Sequence, residues 1–265
     1  MIDLHSHLLP GVDDGAADLD EAVALARLAV EDGVTVMACT PHIFPGLYDN
    51  AGPTIRHAVA ELQFSLHCAG VPLRLVEGAD VQLAPDMLDG LRSGRIPTLA
   101  RSRYFLFEPP HHVAPQRMEH LAAGLIAAGY VPIVTHPERL TWIESHYPII
   151  ERMFEAGCWI QLTAGAITGL FGKRPVYWSE RMLDEGMVHV IASDAHNLRR
   201  RRPGLSAARE AVTKRLGETA ALDMVRTRPQ GVLDNLEPAS MPPLAGRPEL
   251  ARPTLLSRLL GERRQ

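Results

Sequence analysis

Among the histidines and carboxylates, eight potential ligands for divalent cations stand where a short apolar run ends: His5, His7, His42, Asp80, Glu108, His136, Asp194 and His196, with Asp14 as a ninth in the loop after the first run. His5 and His7 are two apart, as are Asp194 and His196. Alternation along a strand points residues i and i+2 to the same side, so each pair can face one point. Imidazole nitrogen and carboxylate oxygen suit Zn, Mn, Fe or Mg. With no thiolate in the set, a closed structural zinc site is disfavoured. One ion needs three or four ligands; nine, with carboxylates able to bridge, imply two or three ions. Clustered divalent ions lower the pKa of a bound water and clamp the attacking and leaving oxygens of a phosphate ester. The residues alone therefore point to metal-assisted hydrolysis, with phosphoesters ahead of amides.

The elements that must position these donors are legible as an alternation. Candidate strands fall at 2–6, 34–40, 73–81, 103–108, 131–135, 158–163 and 188–193, with helices near 18–32, 54–69, 115–129, 144–156, 176–186 and 205–216 between them. Asp18 is placed to cap the first helix, with Asp20 and Glu21 in its first turn and Ala22, Leu25, Ala26 and Ala29 on one stripe. Gly33, Gly129, Gly157 and Gly186 each close a helical pattern ahead of a strand, where a C′ glycine belongs. Seven strand–helix units in a row predict a parallel sheet with helices outside. Seven units, rather than five or six, favour closure into a distorted (βα)7 TIM-like barrel, with an open doubly wound sheet as the alternative. In such a barrel all the strand ends lie on the C-terminal face, so the donors share one rim. From Pro238 the chain turns rich in Pro and Arg, and Leu255, Leu256, Leu259 and Leu260 read as a short amphipathic terminal helix.

Composition narrows the class. With 265 residues, 46% hydrophobic and 22% charged, the chain reads as an ordinary globular protein that needs no disulfide or metal merely to stay folded. A formal charge of −4 argues against sequence-independent nucleic-acid binding. The three cysteines, Cys39, Cys68 and Cys158, have no paired spacing, and a reducing cytoplasmic home is expected. No signal peptide is visible, and no apolar run approaches the roughly 20 residues that cross a bilayer.

Longer motifs add a resemblance. Ile2-Asp3-Leu4-His5-Ser6-His7 followed by Asp13-Asp14-Gly15 resembles the opening of the PHP (polymerase and histidinol phosphatase) superfamily, as do Thr40-Pro41-His42, Gly78-Ala79-Asp80, His136-Pro137-Glu138-Arg139 and Ser193-Asp194-Ala195-His196-Asn197. The segments DLHSHLLPGVDDG, RIPTLARSRYFLFE and VIASDAHN narrow the resemblance to the CpsB/CapC family of bacterial capsule and exopolysaccharide tyrosine phosphatases. It covers residues 1–235, taken as one metal-dependent phosphatase domain, and leaves 236–265 as a Pro/Arg-rich tail. It implies three divalent ions, Mn²⁺ first, with Fe or Zn as alternatives. By that resemblance His5, His7 and Asp194 hold one ion with Asp80 bridging; Asp80, Glu108 and His136 hold a second; Asp14, His42 and His196 hold a third. Arg139 matches a phosphate-contacting arginine. A second falls within Arg199-Arg200-Arg201-Arg202, where Arg201 and Arg202 are not separable. His196 and Asp14 are candidate proton donors. The implied partner is a phosphotyrosine protein, namely the cognate bacterial tyrosine kinase, with no nucleic acid and no membrane insertion. Alternatives are another PHP phosphoesterase, such as a histidinol-phosphate or small-molecule phosphatase, or a degenerate metal-binding regulator. One position departs from the family pattern: Asp80 stands where a Glu is usual, one methylene shorter. Glu77 is not a substitute, because alternation places it on the opposite face.

One competing motif fails on physical grounds. His67-Cys68, five residues, then Arg74 spells the pattern of cysteine-dependent phosphatases. Such a loop needs consecutive N–H groups around phosphate at a helix N-terminus. Pro72 lacks an N–H, and the order here is helix, loop, strand. Phe44, Tyr48 and Phe171 lie in loops on the expected active face, where they could stack a phosphotyrosine ring. His111 and His112 belong to the same rim. Trp142 and Trp159 read as packing residues.

Overall fold

A computed structural model describes residues 1–246, so the expected helix at Leu255–Leu260 lies outside the described residues. The strands are β1 (Ile2–Asp3), β2 (Val36–Cys39), β3 (His42–Phe44), β4 (Tyr48–Asp49), β5 (Arg74–Glu77), β6 (Asp80–Gln82), β7 (Tyr104–Glu108), β8 (Val131–Thr135), β9 (Trp159–Thr163) and β10 (Val190–Ala192). The expected seven staves are all present, two of them broken in the middle. The stave at 34–40 stops at Thr40-Pro41 and resumes as β3; that at 73–81 stops at Gly78-Ala79 and resumes as β6. Pro41 cannot donate to a ladder. At Gly78 a Cβ would come within 2.8 Å of Leu99 Cδ2 and 2.9 Å of Thr40 Cγ2, so the wall closes there only on glycine.

Below the breaks β1, β2 and β5 pair in that order; above them the order is β10-β9-β8-β7-β6-β3-β4. All pairings are parallel except the small β3–β4 hairpin. The first and last staves meet at a single bridge, Ser6 to Ala195, backed by His7 N–H to the Ala195 carbonyl (2.8 Å) and Asp194 N–H to the His5 carbonyl (2.9 Å). The result is the distorted (βα)7 barrel.

Period-two alternation fills the barrel. Tyr104, Leu106, Val131, Ile133, Trp159 and Val190 pack inside with Ile2, Leu4, Val36 and Ala38, while Phe105, Phe107 and Val134 face the helices. The same phase that puts Tyr104 and Leu106 inside delivers Glu108 to the upper mouth. The helical layer includes α1 (Leu19–Glu31) and α2 (Gly52–Cys68). The α1 N-terminus is capped by Asp18, which accepts the Glu21 N–H at 2.9 Å, and Ala22, Leu25, Ala26 and Ala29 are buried as the stripe predicts. The third stave is followed by a seven-residue helix, α3 (Met87–Ser93), that the sequence pattern did not signal. It is under two full turns with Gly90 inside, too short for a 3.6-residue period to show.

After α8 (Ser206–Leu216; α4–α7 are Met118–Ala127, Ile143–Glu155, Ala164–Ile167 and Lys173–Asp184), the chain continues as α9 (Glu218–Leu222), a π-helical turn (Asp223–Thr227) and α10 (Arg228–Leu233). Val232 joins the inner barrel core. Arg228 is 1% exposed, and its guanidinium donates to the carbonyls of His189, Pro242 and Pro243. Met241 packs on the inner cluster, so the chain stays against the barrel past residue 235. Among the described residues no helix is long and apolar enough to cross a membrane.

Candidate metal centre

At the upper mouth three of the five histidines are held by their outer nitrogens. His5 Nδ1 faces Gln161 Oε1 at 2.8 Å, His7 Nδ1 faces Asp13 Oδ2 at 2.7 Å, and His196 Nδ1 faces the Asp194 carbonyl at 3.0 Å. Each of those oxygens accepts, so each Nδ1 carries the hydrogen and each Nε2 turns a lone pair inward. The Nε2 atoms of His5 and His7 lie 3.2 Å apart. Two lone pairs so close require a positive charge beside them, a proton or a cation.

The carboxylates repeat the theme. Asp80 Oδ1 accepts from Thr135 Oγ1 at 3.3 Å, while Oδ2 is buried without a hydrogen-bond partner, 3.4 Å from His5 Nε2, 3.7 Å from His42 Nδ1 and 3.8 Å from His136 Nε2. Asp194 gives Oδ2 to two arginines and leaves Oδ1 buried and unpartnered, 3.4 Å from both His5 Nε2 and His7 Nε2. His196 Nε2 is likewise unpartnered, 3.4 Å from Asp14 Oδ1. Buried polar atoms are ordinarily hydrogen-bonded, and leaving one bare costs about 1–3 kcal/mol. Here the bare atoms are nitrogen and oxygen donors converging on common points, which is the chemistry a divalent cation fits.

Four overlapping groups have ligand atoms within 4.8 Å of one another: His7, Asp14, His42 and His196; His5, His7 and Asp80; His5, His136 and Asp194; His42, Asp80 and Glu108. Among the described residues these groups contain all nine expected donors and no other residue. The partition differs in detail from the implied one: His7 also joins the Asp14 group, His42 also reaches Glu108, and His136 also joins Asp194. Asp80 sits at the junction of two groups despite its shorter side chain. The break at Gly78-Ala79 lets the stave restart at Asp80 against β7. Glu77 points away, bonded to Arg101 Nε at 2.8 Å.

Charge within the cluster is tightly coupled. Burial pushes the His5 imidazolium down, but Asp80 and Asp194 overturn this and hold it up to about 9. Burial also disfavours charged His42, yet its contact with Glu108 and the charges of Asp80, Glu108 and Asp14 bring it up to about 9. His196 goes the other way, to about 4, through burial and the neighbouring His7. Burial opposes ionisation of Asp80 and Asp194, but His5 and the other surrounding cationic groups hold both well below the usual carboxylate range.

Backbone strain aims two of the donors. His136 follows β8 at φ 36° and Asp194 follows β10 at φ 53°, left-handed values that cost a non-glycine residue about 1–3 kcal/mol. Gly15 permits the first loop to fold back over the centre, since a Cβ there would lie 2.1 Å from the His7 carbonyl oxygen.

The arginines separate. Arg139, on the 3-10 turn Pro137–Arg139, and Arg201 both donate to Asp194 Oδ2. Arg201 Nε is buried without a partner, and Arg139 lies 4.6 Å over the Phe171 ring. Arg202 does not reach the centre: it is exposed, with Nε donating to the Leu198 carbonyl. At the rim, Tyr48 stacks on His42 with ring centroids 5.6 Å apart. His111 and His112 pack against each other at 4.7 Å, and the His111 carbonyl accepts the Thr141 N–H at 3.1 Å. Trp142 and Trp159 are buried packing residues. Cys68 ends α2 and Arg74 opens β5, so the competing cysteine motif runs helix to strand with no phosphate-binding loop.

Three supporting residues were absent from the expected set. Asp13 holds His7, accepts the His42 N–H at 3.0 Å and accepts the Gly15 N–H at 2.9 Å. Gln161 fixes the His5 tautomer, and Glu138, fully buried, accepts the Thr163 N–H at 2.8 Å. Asp13 stood within the opening motif and Glu138 within the His136 motif; Gln161 is a polar residue at an inward position of β9, a signal available to alternation alone.

Comparison with known proteins agrees with this geometry. Residues 1–234 match the family model described as capsular polysaccharide synthesis, CpsB/CapC. The chain is 33% identical over 201 residues to tyrosine-protein phosphatase YwqE of Bacillus subtilis (strain 168), covering 76% of this chain and 79% of that one. It is 27% identical over 238 residues to tyrosine-protein phosphatase CpsB of Streptococcus pneumoniae, covering 88% and 98%. Among solved structures, one from work on YwqE from Bacillus subtilis and CpsB from Streptococcus pneumoniae, described as unique metal-dependent tyrosine phosphatases, superposes with a TM-score of 0.87 at 30% identity, covering 94% of this chain and 100% of that one. A probable 2-pyrone-4,6-dicarboxylic acid hydrolase from Acinetobacter baumannii shares the fold alone, with a TM-score of 0.53 at 14% identity over 88% of this chain and 98% of that one. On the extent of the family match and the identity to its members, the chain belongs to the CpsB/CapC capsular polysaccharide synthesis family.

Proposed function

We propose that this chain is a metal-dependent protein-tyrosine phosphatase. Its substrate is a phosphotyrosine protein, the bacterial tyrosine kinase that governs capsule or exopolysaccharide assembly, and it acts in the cytoplasm. The observation that carries the reading is the set of converging, unpartnered donor atoms at the mouth, with two arginines fixed beside them on Asp194. The names of the relatives support the choice of phosphotyrosine. Three unpaired cysteines support a reducing compartment.

The residues proposed to hold the ions are His5, His7, Asp194, Asp80, Glu108, His136, Asp14, His42 and His196. Three ions are proposed, Mn²⁺ first, then Fe or Zn. When bound, such ions neutralise phosphate charge and supply a nucleophile at neutral pH. Asp13 and Gln161 keep the Nε2 lone pairs of His7 and His5 directed inward. Arg139 and Arg201 bind the non-bridging phosphate oxygens; a guanidinium has five donors, so pairing with Asp194 leaves most of them for substrate. Asp14 and His196, 3.4 Å apart at the mouth, would move a proton only where the ion leaves one of them free. A phenolate leaving group with a pKa near 10 requires little such help.

The test is hydrolysis of a phosphotyrosine peptide before and after chelation, beside elemental analysis of the purified protein. Chelation should abolish turnover, Mn²⁺ should restore it, and about three ions per chain should accompany activity. Full turnover after exhaustive metal removal refutes the reading.

A further inference from the structure

One feature beside the mouth has no part in holding ions. Asn197 opens a loop whose four successive residues are Arg199, Arg200, Arg201 and Arg202, in a chain whose formal charge is −4. The backbone of this loop is tied down. Asn197 Oδ1 accepts the N–H groups of Arg199 and Arg200 at 3.1 and 2.9 Å, and the Arg201 carbonyl accepts the His196 N–H at 2.8 Å. Arg201 turns inward to Asp194, while Arg199 and Arg200 are exposed. Neither forms an ion pair among the described residues. Glu21, whose Oε1 reaches the loop, uses its two oxygens on the backbone N–H groups of Leu198 (3.3 Å) and Ala17 (3.0 Å).

Two unpaired guanidiniums thus stand next in sequence to the one that faces the reacting phosphate. Consecutive Cα atoms are about 3.8 Å apart, the spacing of neighbouring residues in a substrate peptide. Guanidinium recognises phosphate or carboxylate with paired hydrogen bonds. We propose that Arg199 and Arg200 select phosphotyrosine substrates carrying a second anionic group, phosphate or carboxylate, next to the tyrosine. The proposal rests on the phosphatase reading above. Because the contact is made equally in the ground and transition states, it lowers KM and leaves kcat alone.

The test compares three phosphotyrosine peptides, with neutral flanks, with adjacent glutamates, or with an adjacent phosphoserine, on the Mn²⁺-loaded full chain and its Arg199→Ala/Arg200→Ala variant. In the wild type, kcat/KM for an anionic peptide should exceed that for the neutral one by about five- to tenfold, the scale expected of two exposed charge contacts. The preference should reside in KM, shrink as salt rises, and fall to near unity in the double variant. The phosphoserine and glutamate arms show which anion is recognised. Equal kcat/KM for all three peptides in the wild type overturns the inference and leaves the phosphatase reading intact, including if the loop instead binds phosphatidylglycerol vesicles or duplex DNA. A preference that survives in the double variant also overturns it. Hydrolysis of none of the peptides refutes the phosphatase reading, and the inference falls with it.

Discussion

Asp13 offers the sharpest test of how the centre is built, because it is not itself an expected ligand yet holds two of them, His7 and His42, together with the loop at Gly15. Its Oδ2 accepts from His7 Nδ1 at 2.7 Å and from the His42 N–H at 3.0 Å, and its Oδ1 accepts the Gly15 N–H at 2.9 Å. Asp13→Asn keeps the shape but replaces one accepting oxygen with an NH₂ group. If the amide nitrogen takes the Gly15 side, the repulsive N–H to N–H contact falls on the loop. If it takes the His7 side, the imidazole must move its hydrogen to Nε2, the atom that should face a cation. Either outcome also removes a negative charge from the cluster. Loss of an outer partner to a metal-ligating histidine weakens metal affinity by about 10- to 100-fold, or about 1.4–2.8 kcal/mol. The loss of one charge-assisted hydrogen bond should lower folding stability by about 1.5–3 kcal/mol. Calorimetric titration of the chelated variant with Mn²⁺ measures the first quantity and urea unfolding the second. Saturating Mn²⁺ should recover much of the turnover on a phosphotyrosine peptide. Wild-type Mn²⁺ affinity in Asp13→Asn would show that the His7 tautomer is not set from outside the centre.

Arg201→Ala should reduce kcat/KM on p-nitrophenyl phosphate by about 10²–10³, as removal of a donor to developing negative charge does elsewhere, and Arg139→Ala should be comparable. Arg202→Ala should stay within about twofold on the same ester, the usual effect of an exposed substitution; equal losses in the Arg201 and Arg202 variants would contradict their placement. In chelated protein the raised pKa values of His5 and His42 contribute stability that is complete below their unfolded value of 6.5 and is lost as pH rises through about 9. Ion binding needs both rings unprotonated, so the melting temperature of the chelated protein should fall from pH 6.5 to 9 while the increment from added Mn²⁺ grows; parallel curves would rule out protons on these rings. Arg228→Met should destabilise the fold by about 1–3 kcal/mol in urea unfolding, since it leaves three buried carbonyls without their donor; no loss of stability would show that those carbonyls find other donors.

The nine donors were legible because each occupies the end of an apolar run or the loop just after one, and a parallel barrel brings all such ends to one face. What could not be read was anything that depends on which way a loop turns. Arg201 and Arg202 are adjacent in a segment without periodicity, and only the return of the chain to His196 decides which of them faces inward. The breaks at Pro41 and Gly78 were visible as punctuation, but that each divides a stave between two sets of pairings requires knowing the register. Asp13 acts through His7, so its chemistry looks like that of any loop carboxylate. The helix α3 is too short to show a period. The helices from Glu218 to Leu233 form a further cover because Val232 has a place in the barrel interior, a contact made across more than a hundred residues from Tyr104 and Leu106.

The single bridge between Ser6 and Ala195 has a consequence for how the molecule is made. Two donors lie within two residues of one side of that seam and two lie beside the other, His5 and His7 against Asp194 and His196. During synthesis the first pair leaves the ribosome almost two hundred residues before its counterparts. Until then the early imidazoles have only an incomplete cage. Cation capture by these four residues, as proposed, would thus be deferred to the moment the ring shuts, and bound ions would then rivet the two ends of the staved wall together.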